Sequence, residues 1–439
     1  MSRLEDRRKA RDGLKRLAPA RAPLVAAVDL GAAKVSCFIL KNDGVRTEER
    51  TVHVAGAGYV ASRGVRGASI INMEDAAQAI AMAVERAEAA AGVSVSGVTV
   101  TTAGGQLSSC RVKCSVTLGS KPIGDDDLTR AISTATAQVR TPGRRPIHVL
   151  PVAWSVDGAK GVRDPRAMYG RHLELELLVV TMNESAFNTL GHCLGLAHLE
   201  FQGVVAAPFA ASLAALDDDE MDLGCACIDM GAGSTSTAVW SQGALVHVDT
   251  LPVGGGHVTA DIARGWSTSL SGAERLKTLH GSALASFNED REMIEAPPRG
   301  DEAGTGPVQA PRSLLKGIIA PRIEETFELV RERLRASGAV IDPGAGIVLT
   351  GGASQLAGVR EVAQRVFERP VRLGGPKRAP SLAQAAAGPA FCAAAGVLQR
   401  SAFGPREAVS PKRLNALKAP VDAHANPVVR VATWLRENL

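Results

Sequence analysis

No run of apolar residues in this 439-residue chain reaches the eighteen or so that a membrane-crossing helix needs, so the sequence predicts no bilayer span. The stretch "MSRLEDRRKARDGLKRLAPARAP" is basic but holds no apolar segment of the kind a secretory signal carries. It reads as a solvated basic arm, residues 1–23. An excess of one charge is also lacking. A net +5, from 50 basic and 45 acidic residues, is too mild to predict a nucleic-acid binder. The seven cysteines are odd in number and scattered, mostly in apolar runs, which fits reduced, buried thiols better than a disulfide framework. "CRVKC" and "CAC" lack zinc-site spacing and read as strand residues. What is plentiful is hydrophobic side chain, 45% of the chain, enough at this length for two or more domains with their own cores.

The order of patterns gives the organisation. "LVAAVDLGAAKVSCFIL" is an apolar run, an Asp-x-Gly turn and a second apolar run, which predicts a hairpin of buried strands. "EDAAQAIAMAVERAEAAAG" is an amphipathic helix closed by Gly92. "VSGVTVTTAGG" is a strand ending in a glycine turn. From about Gln106 to Thr181 the texture changes to a small α+β unit set into the larger one. Its acidic "GDDDL" reads as the carboxylate-rich start of a helix. "GCACIDMGAGSTSTAVWSQGALVHVDTLPVGG" then repeats the opening pattern, about two hundred residues on. Farther along come a long helix, "APRIEETFELVRERLRASG", and a strand–turn–helix, "AGIVLTGGASQLAGVREVAQRVF". A unit present twice is a domain-scale duplication, and a nucleotide-sized cleft is expected between its halves.

Four motifs carry chemistry. In the first, Asp29, Gly31, Ala32, Ala33 and Lys34 form a turn whose successive backbone N–H groups can cradle phosphate oxygens, while the Asp can hold Mg²⁺ through water. The second, Asp229, Gly231, Ala232, Gly233 and Ser234, has the same design with a hydroxyl added. Each alone is an ordinary hairpin turn; two in matched contexts are not expected by chance. The third, Gly351, Gly352 and Ala353, lets the backbone close on a flat ligand at the start of a following helix. The fourth, Glu274 and Lys277, lies three apart on one helix face, where the pair can clamp an adenosine. A separate question is posed by "NPVVRVATWLRENL". At helical period Val428, Val431, Leu435 and Leu439 share a stripe bordered by Trp434, with Arg430 opposite and Arg436 toward one edge. Such a helix either docks on a core or lies in a membrane surface. The residues alone do not decide, though the unpatterned, proline-containing linker at 401–425 separates this helix from the packed body.

Together the motifs resemble the superfamily of actin, sugar kinases and DnaK-type chaperones. The segments "ASRGVRGASIINMEDAAQAI", "RPIHVLPVAWSVDG", "PVGGGHVTADIA", "AERLKTLHG" and "IVLTGGASQLAGV" are similar to the bacterial cell-division family FtsA, from about Leu24 to Leu398 and again over 426–439. The resemblance implies an α/β actin-like, ribonuclease H-like duplicated fold with a nucleotide cleft and an inserted α+β subdomain, 1C. It divides the chain into subdomain 1A (24–105 and 182–222), 1C (106–181), 2A (223–253 and 321–400) and 2B (254–320), followed by the linker and a membrane-targeting helix at 426–439. It implies Mg-ATP held by the four motifs, with Asp29 and Asp229 on the metal through water. It also implies self-assembly into actin-like protofilaments, tethering of FtsZ filaments to the cytoplasmic face of the inner membrane at the division site, and further divisome partners on 1C. Arg312, in "APRSLL", matches an arginine of the family placed to receive a carboxylate from the FtsZ C-terminal peptide. Two departures from the family pattern bear on the nucleotide: Ala232 stands where a glycine is usual, and Ser236 where an Asp is usual. "VVAAPFAASLAAL" offers Pro208 and Ser212 but no carboxylate or amide to position water, so slow or absent ATP turnover is expected. The alternatives within the superfamily are a PilM-type pilus adaptor and a sugar or small-molecule kinase.

Overall fold

The computed structural model describes residues 24–42, 52–139, 141–284, 292–297, 308–339, 344–377 and 387–403. The basic arm and the expected membrane helix, with Val428, Arg430, Val431, Trp434, Leu435, Arg436 and Leu439, lie outside the described residues.

The first half is built on the hairpin of β1 (Leu24–Leu30) and β2 (Lys34–Asn42), extended by β3 (Val52–Ala61). A two-residue ribbon, β4 (Val65–Arg66) and β5 (Ser69–Ile70), leads to helix α1 (Met73–Ala91). Helix α1 starts at Asn72, whose side chain accepts the Asp75 N–H, and ends at left-handed Gly92. Its buried stripe of Ala76, Ile80, Ala83, Val84 and Ala87 packs into the core that also holds Val28, Phe38 and Ile39. β6 (Gly97–Thr102) joins β1 in parallel.

The inserted unit follows: β7 (Ser108–Thr117), α2 (Asp125–Ala137), β8 (Arg144–Val156), β9 (Ala159–Val162) and β10 (His172–Asn183). The acidic start of α2 is served internally, since the Asp127 carboxylate accepts the Gly124 N–H at 3.1 Å and pairs with Arg130 at 2.8 Å. The chain returns through α3 (Glu184–Leu196), β11 (Glu200–Ala206) and α4 (Ala207–Ala215). β11 completes a five-stranded sheet, β11-β6-β1-β2-β3.

The second half repeats the first. After α5 (Asp218–Leu223), β12 (Cys225–Met230) and β13 (Thr235–Ser241) form the second hairpin, extended by β14 (Ala244–Leu251). The registers match: Asp29 lies opposite Ser36, and Asp229 opposite Ser236. The parallel neighbours match too, with Thr101 beside Asp29 and Thr350 beside Asp229. Helices α6 (Gly255–Gly265) and α7 (Leu270–His280) precede a ribbon, β15 (Met293–Ala296) with β16 (Val308–Pro311). Helix α8 (Arg312–Ala336), β17 (Gly346–Thr350), α9 (Val359–Phe367), β18 (Val371–Leu373) and α10 (Cys392–Phe403) complete the described chain. The long helix starts eight residues before the expected Ala320 and carries Pro321 within it. A proline removes one helical hydrogen bond. Here Leu315 and Ile319 before it and Ile323, Phe327 and Val330 after it share one core, and that burial keeps the turns in line.

The insertion is covalently part of the first half, yet its strands continue the sheet of the second, in the order β18-β17-β12-β13-β14-β7-β10-β8-β9. One residue pair, Asp249 with Ser108, joins β14 to β7. Ser109 reinforces it with its side chain, donating to the Val248 carbonyl and accepting the Val248 N–H, both at 2.8 Å. Arg333 holds Asp249 from α8 at 2.7 Å, and Arg111 reaches the Gly338 carbonyl at 3.3 Å.

Ser109→Ala removes both bonds to Val248, and at roughly 1 kcal/mol each it is expected to cost about 2 kcal/mol, read as a lower urea midpoint. A midpoint equal to the parent's would show that backbone pairing alone holds the junction.

Candidate functional site

The two hairpin turns face each other across a cavity of about 580 Å³. The lining includes Asp29, Gly31, Ala32, Ala33 and Lys34 from the first turn, and Asp229, Gly231, Ala232, Gly233 and Ser234 from the second. Glu274, Lys277, Gly351, Gly352, Ala353 and Arg312 line it as well, so all four motifs and the candidate partner arginine converge on one space.

The turns are closed alike. Gly31 N–H donates to the Lys34 carbonyl at 3.1 Å, and Gly231 N–H to the Ser234 carbonyl at 2.9 Å. The N–H groups of Ala32, Ala33, Ala232 and Gly233 take no part in these closing bonds, which is the requirement for an anion cradle. The outer carbonyls of the second turn are tied down by α6: Gly255 N–H donates to Gly231 O at 2.9 Å and Gly256 N–H to Ala232 O at 2.7 Å. Close packing explains why glycine is needed at Gly233. A Cβ there would lie 1.8 Å from the carbonyl oxygen of Gly67, on the β4–β5 ribbon of the other half. Gly351 is similar: a Cβ would lie 2.3 Å from the Asp229 carboxylate, and its φ of +85° disfavours any side chain.

The charged groups of the two turns are displaced from their ordinary ionisation. Burial pushes the Asp29 carboxyl above its ordinary value, against a 2.8 Å hydrogen bond from Thr101 and the charge of Lys34. Burial, and then the proximity of Asp29, pushes Asp229 up to about 7. Burial draws Lys34 down to about 8, and its ammonium rests 3.1 Å from the centroid of the Phe391 ring. Two carboxylates held in one poorly hydrated cleft are the donor set that a hard divalent cation relieves, and free turn N–H groups beside them suit polyphosphate oxygens. The residues present therefore fit a magnesium-bound phosphate chain. Among the described residues no cluster of three His, Cys, Asp or Glu side chains could hold a metal without such a ligand.

At the other end, Lys277 bonds Glu274 at 2.7 Å and Thr259 at 2.8 Å. The glycine pair is followed not by a long helix but by a 3-10 turn, Gly352–Gln355, with α9 beginning only at Val359. The expected helix N-terminus is thus one short turn removed, because Gly358 adopts a left-handed conformation between the two. Arg312 already holds a carboxylate of its own chain, Glu292 at 3.1 Å, and donates to the His280 carbonyl at 3.0 Å. Ser236 is 1% exposed and does not line the cavity. Ser212 is committed elsewhere: its hydroxyl donates to the Phe209 carbonyl at 2.8 Å and accepts the Trp240 indole N–H at 2.9 Å. The carboxylates among the lining residues are Asp29, Asp229 and Glu274. Thr101, Thr259, Gly67 and Phe391 were missed from the sequence. Only Thr101 had a visible signal, as a strand-end residue before the glycine turn. All seven cysteines are free, and only Cys110 is exposed.

A family model described as "Cell division protein FtsA" matches residues 226–396, and one described as "SHS2 domain inserted in FTSA" matches residues 104–181. The cell division protein FtsA of Agrobacterium fabrum is 39% identical over 431 residues, covering 97% of each chain. Its counterpart in Escherichia coli K12 is 29% identical over 428 residues, covering 94% of this chain and 98% of its own. Among solved structures, the PilM-PilN type IV pilus biogenesis complex matches with a TM-score of 0.58 at 16% identity, over 86% of this chain and 98% of that one. MreB5 of Spiroplasma citri bound to ADP matches with a TM-score of 0.51 at 14% identity, over 88% and 100%. At such identities these structures establish the actin-like fold and nothing finer.

Because Asp229 is raised in the fold, its protonated form favours the native state. That contribution is present below about pH 4 and is lost as pH rises toward about 7. Without ligand, Asp229→Asn is expected to melt higher than the parent at pH 8, with the gap shrinking toward pH 4. A gap independent of pH would mean that Asp229 is not the group under strain.

Proposed function

The chain belongs to the FtsA cell-division family, and from that premise we propose that it binds Mg-ATP between its two halves, assembles with copies of itself, and tethers FtsZ filaments to the cytoplasmic membrane. The observation that carries this reading is the matched pair of turns: Asp29 and Asp229, in identical registers, meet at one cavity from opposite halves. In this reading the turn N–H groups and Lys34 take the phosphates, the two aspartates hold Mg²⁺ through water, and Glu274, Lys277 and the 351–353 loop take the adenosine. Mg²⁺ supplies charge neutralisation between the carboxylates and the phosphates. Ala32 and Ala232 leave the turns narrower than glycine would. With no carboxylate on α4 and Ser212 bonded away from the cavity, turnover is slow or absent, and the nucleotide serves as a closing ligand. A kinase reading lacks a further carboxylate for an acceptor hydroxyl among the residues lining the cavity.

The FtsZ tail is assigned to the 2B face around Arg312. Exposed Leu270, Leu279, Met293 and Leu314 lie on the elements that flank it. An acidic peptide would exchange with Glu292, whose side chain is 49% exposed. The insert is the surface for other divisome proteins. Residues 426–439 supply the lipid contact, burying Trp434, Leu435 and Leu439 at roughly 25 cal/mol per Å², with Arg430 and Arg436 adding about 1 kcal/mol each near anionic lipid. One such helix is a weak anchor, and assembly makes it firm by avidity.

At one hundred times its Kd, Mg-ATP contributes about 2.7 kcal/mol, so the parent's melting point should rise by roughly 3 °C while Asp229→Ala shows no rise. Equal shifts for both proteins would remove the cleft assignment. Trp434→Glu is expected to abolish sedimentation with anionic vesicles and to leave the Mg-ATP shift intact. In co-pelleting with FtsZ and vesicles, deletion of 426–439 should leave FtsZ in the supernatant. Recruitment that persists after the deletion would place the membrane contact elsewhere, and sugar-dependent ADP release would favour the kinase.

A further inference from the structure

The hydroxyl of Thr259 belongs to none of the four motifs. It lies near the start of α6, 6% exposed, and three polar groups reach it: the Gly255 carbonyl at 3.1 Å, Glu274 Oε2 at 2.5 Å and Lys277 Nζ at 2.8 Å. A hydroxyl has one proton to donate, and an ammonium can only donate. Thr259 therefore accepts from Lys277. Its own proton goes to the shorter, charged acceptor, the Glu274 carboxylate, rather than back to the helix carbonyl. The Gly255 carbonyl keeps a partner, because Lys277 Nζ lies 3.2 Å from it. The N–H of the same Gly255 closes on the Gly231 carbonyl at 2.9 Å. A continuous hydrogen-bonded path thus runs from the second phosphate turn, through the first turn of α6, to Glu274 and Lys277, two of the polar side chains of α7 that line the cavity.

We propose that Thr259 is a positioning residue for the nucleoside end of the cleft. It holds Lys277 and Glu274 in the rotamers that meet the hydroxyls of a ribose, and it does so from the helix that also ties down the second phosphate turn. This rests on the reading that the cleft takes a nucleoside triphosphate. Lys and Glu are rotamer-rich and costly to order, so fixing them before the ligand arrives raises affinity for the nucleoside part and not for the phosphates. A hydroxyl that merely satisfied its own helix would bond Gly255 and leave the α7 pair alone. The 2.5 Å contact to Glu274 is what separates the two roles.

The test is calorimetric titration of Thr259→Val and Thr259→Ser with Mg-ATP and with Mg-tripolyphosphate. Val keeps the shape and removes the hydroxyl; Ser keeps the hydroxyl. Losing hydrogen bonds to charged groups should weaken Mg-ATP binding by Thr259→Val about tenfold while tripolyphosphate stays within about twofold of the parent. Thr259→Ser should restore ATP affinity. In a Glu274→Ala, Lys277→Met background Thr259→Val should add no further loss, the signature of action through that pair. Should Thr259→Val fail to fold, Thr259→Ala takes its place with the same expectations. The proposal is overturned if ATP affinity is unchanged in Thr259→Val, if both ligands weaken equally, or if Ser does not restore binding. A parent protein that binds neither ligand overturns the cleft reading itself, and this proposal with it.

Discussion

Two carboxylates from opposite halves of a duplicated chain meet in a space that hydrates them poorly, and most of the molecule is arranged around that meeting. Each Asp is the penultimate residue of the first strand of a hairpin, faces a serine across the hairpin and has a threonine beside it on the parallel neighbour. The strand residues just before them are buried, so neither carboxylate can retreat without breaking a sheet. The energetic cost of burying them falls on their ionisation, which is why both are pushed above the ordinary range, Asp229 further by the charge of Asp29.

The close contacts around this pair show how tightly the halves are fitted. The ribbon of the first half touches the phosphate turn of the second where Gly67 meets Gly233, with no room for a methyl group on Gly233. Gly351 lies against the Asp229 carboxylate in the same way. A ligand that alters the charge between the two aspartates therefore acts on surfaces already in contact, which is the condition for a small change at the cavity to move whole elements.

Much of this was legible in the residues. The hairpins, the duplication, helix α1 and the texture change at the insertion follow from short-range patterns: alternation, turn glycines and helical period. The convergence of the motifs could be expected because two identical turns imply a common ligand. Other features were hidden because they depend on pairing across long sequence separations. Nothing in "SSCRVKC" announces that Ser109 bonds Val248, and nothing in "APRSLL" announces that the helix begins there and runs through Pro321. Thr259 looked like any helix threonine, since its partners lie on a different helix. Phe391 was invisible as a site residue because its part is a ring face beneath Lys34.

The route of the insertion has a mechanical consequence. Its backbone leaves and re-enters the first half, while β7 is stitched to β14 of the second by Ser108 and Ser109. The two halves are therefore linked in a closed loop, once through the chain and once through the stitched edge. On the insertion side, cavity-lining Gly104 lies four residues from Ser108, and on the other side Gly255 lies six residues from Asp249. Any hinge motion that widens the cleft has to shear that seam or carry the insertion along, and in the second case the strands from β18 to β9 turn as one body.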